Sequence, residues 1–527
     1  MDEAEAHTAS TMAETNPQTA QISNPSEVDD PDIYRTTKPG LKRLVLTLSV
    51  AFSFLLGSPF LLKSIEIYRS PLPFHDIDSL SKQIESKPIL FPCHFQAVFL
   101  GFDNERSDNL VADKLGSAIR DEMTKLTLRN PPCGSCRENF TLSVTVDSGF
   151  DCVRRQIGGK SCPWRCGAIS AVDFDENDDE RVDELLNDAL GSCAGRVYSV
   201  VVVNKGEQEI RAVVGKHRHG WIVGSVLEPV AMVSRVAETF VKVFVYGGRE
   251  EEVMHGEFMP VGADGRVVLS FNLLNADPND WTYDWDFQRV DEILLAPIIE
   301  ALGAVANISV ESQVLYHTPR SSFSYWDNER NSYIFSTKDL PFFELQRVFE
   351  VSMGQLRQLF GLKSDNLYVG ASGTAKLLAS ERGFAEWELD LLARHHTCFN
   401  LISCSTTLGS LSRLVQSLPR MIIMDEIGRQ VKFSLLAAKL AQSNASLGIY
   451  DASAVSSRLA RSLAEDAFSH PSVMSVSYYS FEHCFAVYSP FFLPVLLHVL
   501  LATVREWRRY KKERTKYFRW KTKKKAA

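Results

Sequence analysis

The chain has 527 residues, of which 45% are hydrophobic and 23% are charged, a composition typical of a globular protein with about two to four domains. Its net charge of −8 is unevenly distributed, because residues 505–527 carry about a dozen Lys and Arg against two Glu. These basic residues are segregated beside an apolar run and are not interleaved with aromatics on a folded face, which argues against a nucleic-acid partner.

The chain begins with a polar segment, residues 1–43, that we expect to be a disordered cytosolic arm. Up to Thr37 it is rich in Asp, Glu, Ser, Thr and Pro and contains almost no large apolar side chain. Such a segment cannot bury enough surface to offset the entropy lost on ordering.

An uncharged run from Leu44 to Leu62 follows and is predicted to be a first transmembrane helix, since about 20 apolar residues cross a bilayer. A cleaved signal peptide is the rival interpretation. It is disfavoured because the run exceeds the usual 7–15 residues or so of such segments and no small-x-small site precedes Lys63. The basic residues before the run predict a cytosolic N-terminus.

Residues 63–343 are predicted to be a luminal α/β domain, with a mixed sheet and flanking helices. Runs bounded by turn residues, and apolar spacing of three and four, predict the following order: strand 95–101, helix 107–128, strands 141–146 and 197–203, a hairpin partner region 210–223, and helix 226–244. A second unit is predicted from Val267, with strand 267–275, helix 290–305 and strand 308–316.

A Cys-rich insertion, residues 133–193, interrupts this domain and contains Cys133, Cys136, Cys152, Cys162, Cys166 and Cys193. Zinc would need several pairs of closely spaced ligands, but the insertion has a single C-x-x-C and no nearby histidine. A redox C-x-x-C remains an alternative, although its usual strand-to-helix setting is not evident. We therefore expect up to three structural disulfides, whose pairing the sequence does not fix.

Residues 344–484 are predicted to be mainly helical and to lie near the membrane. Apolar residues recur at three-and-four spacing in five segments: 344–360, 384–394, 406–417, 430–443 and 452–467.

A second uncharged run, Phe485 to Val504, is predicted to be the other transmembrane helix, in preference to a packed core helix. It contains Pro490 and Pro494, which are tolerated in membrane helices where neighbouring groups satisfy the freed carbonyls. The basic tail 505–527 predicts a cytosolic C-terminus. The chain then has two spans, with both termini on the cytosolic side.

Three features support a luminal location for the middle of the chain. All ten cysteines lie between the two runs, as expected in an oxidising compartment. Three sequons also lie there, and we predict glycosylation at Asn139, Asn307 and Asn444. The ending Lys524-Lys525-Ala526-Ala527 resembles the dilysine signal that returns membrane proteins to the endoplasmic reticulum. Binding of the lysines to anionic lipid is the alternative.

The sequence contains no pattern of catalytic residues above background. Cys93 and Cys398 have histidine neighbours, but residues adjacent in sequence seldom form a nucleophile–base pair. No nucleophile elbow or glycine-rich phosphate loop occurs, and we predict neither a cofactor nor a metal site. This favours a binding or scaffolding role.

Several short segments, in the same order, resemble the PIG-S family of the glycosylphosphatidylinositol (GPI) transamidase. Beside the spans, the resemblance rests on Tyr68 to Phe74 (YRSPLPF), Ala467 to Ser472 (AFSHPS) and Ala486 to Pro494 (AVYSPFFLP). Interior matches are Leu273 to Pro278, Trp285-Asp286, Ser309 to Tyr316, Gln355 to Arg357, Leu359 to Gly361 and Trp387 to Asp390. The resemblance covers most of residues 44–504.

The resemblance implies a noncatalytic structural subunit of the complex that attaches GPI anchors to proteins in the endoplasmic reticulum. It implies that the cysteine-protease-like PIG-K is catalytic, and that PIG-T, PIG-U, a further GPI-attachment subunit and membrane lipid are partners. An autonomous luminal transferase or hydrolase is the alternative. The chain departs from the family between Pro341 and Gln355, where the family carries a long stretch with strands, so we expect an exposed sheet edge.

Overall fold

A computed structural model describes most of the chain after the N-terminal arm. The described residues are 34–64, 69–86, 89, 91–102, 108–127, 133–136, 140–148, 152–157, 164–174, 178–190, 196–206, 209–225, 229–248, 262, 264–275, 279, 281–284, 287–317, 325–336, 342–418, 421–474 and 481–526. They belong to two compact units: Met1–Ile67 with Ser477–Ala527, and Tyr68–Val476.

The described helices and strands are numbered in chain order. The α-helices are α1 Lys42–Ser64, α2 Phe74–Ser86, α3 Asp108–Leu126, α4 Asp179–Leu190, α5 Val233–Glu238, α6 Phe287–Val290, α7 Ala296–Leu302, α8 Phe342–Leu359, α9 Glu386–Ser417, α10 Asp425–Ser446, α11 Tyr450–Phe468, α12 Pro471–Met474 and α13 Phe481–Ala526. The strands are β1 Cys93–Leu100, β2 Phe140–Asp147, β3 Cys152–Ile157, β4 Val197–Asn204, β5 Arg211–Val214, β6 His219–Gly224, β7 Arg266–Asn275, β8 Trp281–Asp284, β9 Asn307–Tyr316, β10 Tyr325–Asp327, β11 Ser332–Ser336, β12 Leu367–Gly370 and β13 Gly373–Leu377. Two π-helical turns, Thr239–Val245 and Asp291–Leu295, follow α5 and α6.

An eight-stranded mixed sheet forms the core of the unit Tyr68–Val476, in the order β12-β13-β5-β6-β4-β1-β2-β3. Its centre is parallel, since β1 pairs in parallel with β2 and β4, and β4 with β6. The hairpin β5–β6 and the edge strands β3 and β12 pair antiparallel. The predicted α/β class with a mixed sheet is therefore confirmed for this unit.

Both faces of the sheet are buried, which explains why its central strands are nearly continuous apolar runs. One face, including Phe95 and Tyr198, packs with residues of α3, α5 and the following π-turn. The other face, including Val98 and Val201, packs with Val182 and Leu186 of α4. Parallel strands covered on both sides lack the polar alternation of a one-sided sheet.

The sheet extends into the region predicted to be mainly helical. Strand β13, from that region, pairs in parallel with β5, and β12 forms the edge beyond it. Strand β12 has only four residues, and its Leu367 and Val369 side chains are 46% and 65% exposed. This edge strand follows α8, the helix entered through the shortened connection, and a sheet edge exposed by that shortening stays a prediction.

Two smaller sheets accompany the main one, with orders β7-β9 and β10-β11-β8. The pair β7–β9 is parallel over ten residues, and its strands are the predicted strands 267–275 and 308–316. The predicted helix between them is divided into α6, a π-turn and α7.

The helices α9, α10 and α11, with α2, surround a second apolar core. The contact between α10 and α11 is close because small residues line it: the Ser434 hydroxyl donates to the carbonyl of Ala460 at 2.7 Å, and Ser453 donates to that of Ala441 at 2.7 Å. Helix α9 is continuous over 32 residues, so the separate helices predicted at 384–394 and 406–417 are one element.

The other unit contains α1 and α13, the helices that carry the two apolar runs. In α13, one stretch of the described residues, Ser489–Ala526, meets the length and hydropathy of a membrane span, and its most apolar window is entirely unburied. In α1, Leu46, Phe52 and Leu55 are 64–72% exposed, the reverse of a soluble core helix. At the opposite end from the apolar run of α13, Arg35 pairs with Glu513 at 2.8 Å.

Candidate functional site

A buried network of arginines, carboxylates and tyrosines joins the sheet to α9 and α11. Its centre is Asp390 on α9, a residue that is only 3% exposed. Arg218, in the turn before β6, donates to both Asp390 oxygens, at 2.6 and 3.1 Å. Arg196, just before β4, lies 3.1 Å from Asp390 through Nε, so two guanidinium groups neutralise one buried carboxylate.

Arg394 lies one helical turn after Asp390 and is completely buried. It donates to the Tyr198 hydroxyl at 2.9 Å and to the Phe244 carbonyl at 3.0 Å. Tyr198 in turn donates to Asp390 at 3.1 Å, and burial raises its pKa well above the usual value, so the phenol stays protonated. The guanidinium also lies over the ring of Tyr450, 5.4 Å from its centroid.

The outer part of the network is more exposed and includes a histidine, His217. Arg218 donates to Glu386 at 2.6 Å, and His217 Nδ1 lies 3.3 Å from the same carboxylate. The hydrogen bond to Glu386 raises the pKa of His217, and the same bond is the main cause of the lowered pKa of Glu386. Arg196 pairs with Asp451 at the start of α11.

These groups connect elements of the fold to one another. They do not show a catalytic arrangement. Each charged group of this network has an ion-pair or hydrogen-bond partner among the described residues, and those of Arg394 include the neutral Tyr198 hydroxyl and Phe244 carbonyl. His219 belongs to a similar contact, because its Nε2 lies 2.9 Å from Asp183 of α4 with both side chains buried. The buried arginine Arg394 was not predicted, since an arginine in a helical sequence is usually a surface residue.

The structure brings three pairs of cysteines to within 5.7–5.8 Å between Cα atoms, the range of disulfides. The pairs are Cys93 with Cys136, Cys133 with Cys398, and Cys152 with Cys166. Only the last joins two members of the predicted insertion. Cys133 faces α9 and Cys136 faces β1, so both lie opposite cysteines outside the insertion, a pairing that the sequence left open.

The tight approach of the C-x-x-C loop to α9 explains this pairing. Gly134 has φ +91°, and a Cβ there would lie 2.8 Å from the Arg394 carbonyl, so a larger residue would push the loop away. Cys93 and Cys398, each beside histidines in sequence, thus face other cysteines. Cys162 and Cys193 lie outside the described residues, and the described free cysteine, Cys404, is buried.

The predicted glycosylation sites lie in different settings. Asn307, the first residue of β9, is exposed, and Asn444, in the last turn of α10, is half-buried. Asn139 lies outside the described residues. Both described sites are accessible to solvent to some degree, and their modification stays a prediction.

The predicted retrieval residues Lys524 and Lys525 are exposed in the last turn of α13. Lys524 Nζ lies 5.3 Å from the centroid of the Trp520 ring, and Lys523 Nζ lies 4.9 Å from that of Tyr34. The described segment before α1 thus runs beside the C-terminal part of α13.

A family model described as "Phosphatidylinositol-glycan biosynthesis class S protein" matches residues 48–343 and 344–513. The match is therefore divided within the short connection between Pro341 and Gln355, where the sequence departs from the resemblance stated above.

Curated relatives give the same result. "GPI-anchor transamidase component PIGS" of mouse is 22% identical over 540 residues, covering 86% of this chain and 93% of the mouse protein. The human protein of that name is 24% identical over 317 residues, covering 45% of this chain and 56% of its own length. "GPI transamidase component PIG-S homolog" of Schizosaccharomyces pombe is 22% identical over 545 residues, covering 91% of this chain and 87% of the S. pombe protein. The chain therefore belongs to the PIG-S family.

Proposed function

We propose that this chain is a noncatalytic structural subunit of the GPI transamidase complex and supports the attachment of GPI anchors to proteins in the endoplasmic reticulum. The family match over residues 48–513, to relatives named as transamidase components, is the observation that carries the proposal. PIG-K is the catalytic subunit in this proposal, and PIG-T, PIG-U and the further GPI-attachment subunit are the other partners.

The contacts of the buried network support a structural role. Asp390 is paired with Arg218, and Arg394 is buried against Tyr198 and Phe244, so neither side chain faces solvent. The cysteines that have histidine neighbours, Cys93 and Cys398, lie opposite Cys136 and Cys133, so neither sulfur is placed as a nucleophile beside a base. The subunit contributes binding surfaces, and the chemistry belongs to another chain.

A two-span topology, with both termini in the cytosol and the unit Tyr68–Val476 in the lumen, accompanies this proposal. Its support is the exposed apolar surface of α1 and α13, which a bilayer would cover. The Arg35–Glu513 pair is further support, because two segments in contact with each other must lie on the same side of a membrane. An odd number of spans would separate these two segments.

Affinity purification of the full-length chain in mild detergent tests the function. We expect a cysteine-protease-like protein and other transamidase components to co-purify. Deletion of the gene should remove GPI-anchored proteins from the cell surface, and single replacements of luminal His or Cys should not abolish the chemical step. Transferase or hydrolase activity of the isolated unit Tyr68–Val476, lost on replacing one polar side chain, would instead establish an autonomous enzyme.

Location is tested by glycan processing. If Lys524 and Lys525 act in retrieval, replacing both with Ser should convert glycans at Asn307 or Asn444 from endoglycosidase H-sensitive to resistant forms. Unmodified asparagines, together with cleavage of the middle of the chain by protease added outside intact microsomes, would reject the topology.

A further inference from the structure

Helix α10 is apolar on two faces, although only one of them packs against the protein. Its inner face includes Ile427, Val431 and Ala438, all fully buried. Its outer face carries a second apolar stripe, formed by Phe433, Leu436 and Leu440 and continued by Leu447, the C-cap residue just after the helix; they are 57%, 60%, 54% and 69% exposed. Spacings of three, four and seven residues place these side chains within an arc of about 60°.

Such a stripe is unusual for a free surface. Single exposed apolar side chains are common, but a contiguous row of large ones marks an interaction site. The inner face already stabilises the fold, so the stripe is not needed to hold α10 in place. A row of anchors along one helix face is the arrangement by which helices bind partner helices.

Basic residues lie along the stripe, and their positive charge indicates that a partner bound there would be acidic. Arg429, Lys432 and Lys439 are exposed beside it, and none forms an ion pair with any residue that the structure describes. Their charges therefore remain available to an incoming surface. An apolar stripe bordered by cations complements a helix whose own apolar stripe is bordered by Asp or Glu.

Two other occupants fit the charges less well. A second copy docking through the same face would bring these cations against themselves, because a twofold interface is self-complementary. An anionic lipid surface would attract the cations but repel Asp425 and Glu426, which are exposed in the first turn of α10. A patterned polypeptide can match the cations and avoid these carboxylates.

We propose that the outer face of α10 is a docking site for an acidic amphipathic helix of another polypeptide in the complex. The inference rests on the proposed function, which supplies the partner polypeptides, and it adds to that function the surface used and the chemistry of the segment bound.

The experiment introduces a photo-crosslinking amino acid at Leu436 in the full-length chain in cells and maps the crosslinked segment by mass spectrometry. We expect an adduct with a segment in which Asp or Glu flank apolar residues at helical spacing. The double variant Lys432→Glu/Lys439→Glu should reduce that adduct at least tenfold. A crosslinker at Leu459 of α11, which is 53% exposed, is the matched control and should not give this adduct.

Variants of the stripe provide a second measurement. Phe433→Asp/Leu440→Asp should abolish the adduct, whereas Val455→Asp/Leu459→Asp on α11 should leave it unchanged. Both pairs are exposed, so thermal unfolding of each variant should match that of the wild type.

Adducts with a second copy, with lipid, or with a segment that lacks acidic residues would overturn the inference. Absence of any adduct from Leu436 would do the same. Failure of the wild-type chain to co-purify with the protease subunit would instead reject the proposed function. The crosslink at Leu436 is measured independently of co-purification, so failure of the inference and failure of the proposed function can be told apart.

Discussion

Replacing Asp390 with Asn removes the central charge of the buried network with little change in shape. Arg218 and Arg196 would lose the carboxylate that neutralises them. The buried network, which also contains Arg394, would then carry one more unneutralised positive charge. Removing one partner of a buried ion pair costs about 3–5 kcal/mol. We expect Asp390→Asn to lower the free energy of unfolding by that amount.

The expected change in melting temperature follows from the size of the unit. Tyr68–Val476 has about 400 residues, and an unfolding entropy of about 2.1 cal/mol/K per residue gives about 0.85 kcal/mol/K. A loss of about 3–5 kcal/mol then lowers Tm by about 4–6 °C. Differential scanning fluorimetry of the full-length protein in detergent measures this shift.

Asp451→Asn is the matched control, because Asp451 also pairs with Arg196 but its side chain is 58% exposed. An exposed pair contributes about 1 kcal/mol or less, so Tm should fall by about 1 °C at most. If Asp390→Asn shifts Tm no more than Asp451→Asn does, the network does not stabilise the fold as argued.

Three further predictions concern other parts of the same unit. Because the bond to Glu386 raises the pKa of His217, their pairing stabilises the folded state below about pH 6.5 and is lost as pH rises through the raised value. The Tm difference between wild type and His217→Gln should thus be larger at about pH 5.5 than at about pH 8.5, and a difference independent of pH would contradict this. Leu408→Ala, at a fully buried position of α9, should cost about 2–5 kcal/mol. Ile402→Ala, 43% exposed on the same helix, should cost less than about 1 kcal/mol, and equal Tm shifts would refute the packing argument. Peptide mapping without reduction should recover the pairs Cys93–Cys136, Cys133–Cys398 and Cys152–Cys166, whereas a Cys133–Cys136 peptide would contradict them.

The strands at the centre of the sheet could be predicted from sequence, because burial on both faces makes each of them a short, nearly continuous apolar run. Five of the seven residues from Val197 to Val203 are valine, and the run forms β4 within one residue of the predicted bounds. The two strands at the β12 edge were not predicted, for the opposite reason. β12 and β13 are four and five residues long and meet at Gly370 and Gly373, so the segment resembles a loop.

The middle of α9 was missed because its buried residues are polar. Arg394, His396 and Asn400 interrupt the apolar spacing, yet all three are buried. Arg394 is stabilised there by Tyr198 and Phe244, which lie about 150–200 residues earlier in the chain. Periodicity cannot detect such partners, and the same distance in sequence conceals the pairing of Cys133 with Cys398.

The pairing of β13 with β5 has a consequence for biogenesis. Ala375 lies opposite Ala212, so the ribosome must synthesise some 160 further residues before β5, already paired with β6, receives its second neighbour. At a synthesis rate of about 5–20 residues per second, this interval lasts roughly 10–30 s. During it one edge of β5 has no partner strand, and chaperones have that period in which to shield it.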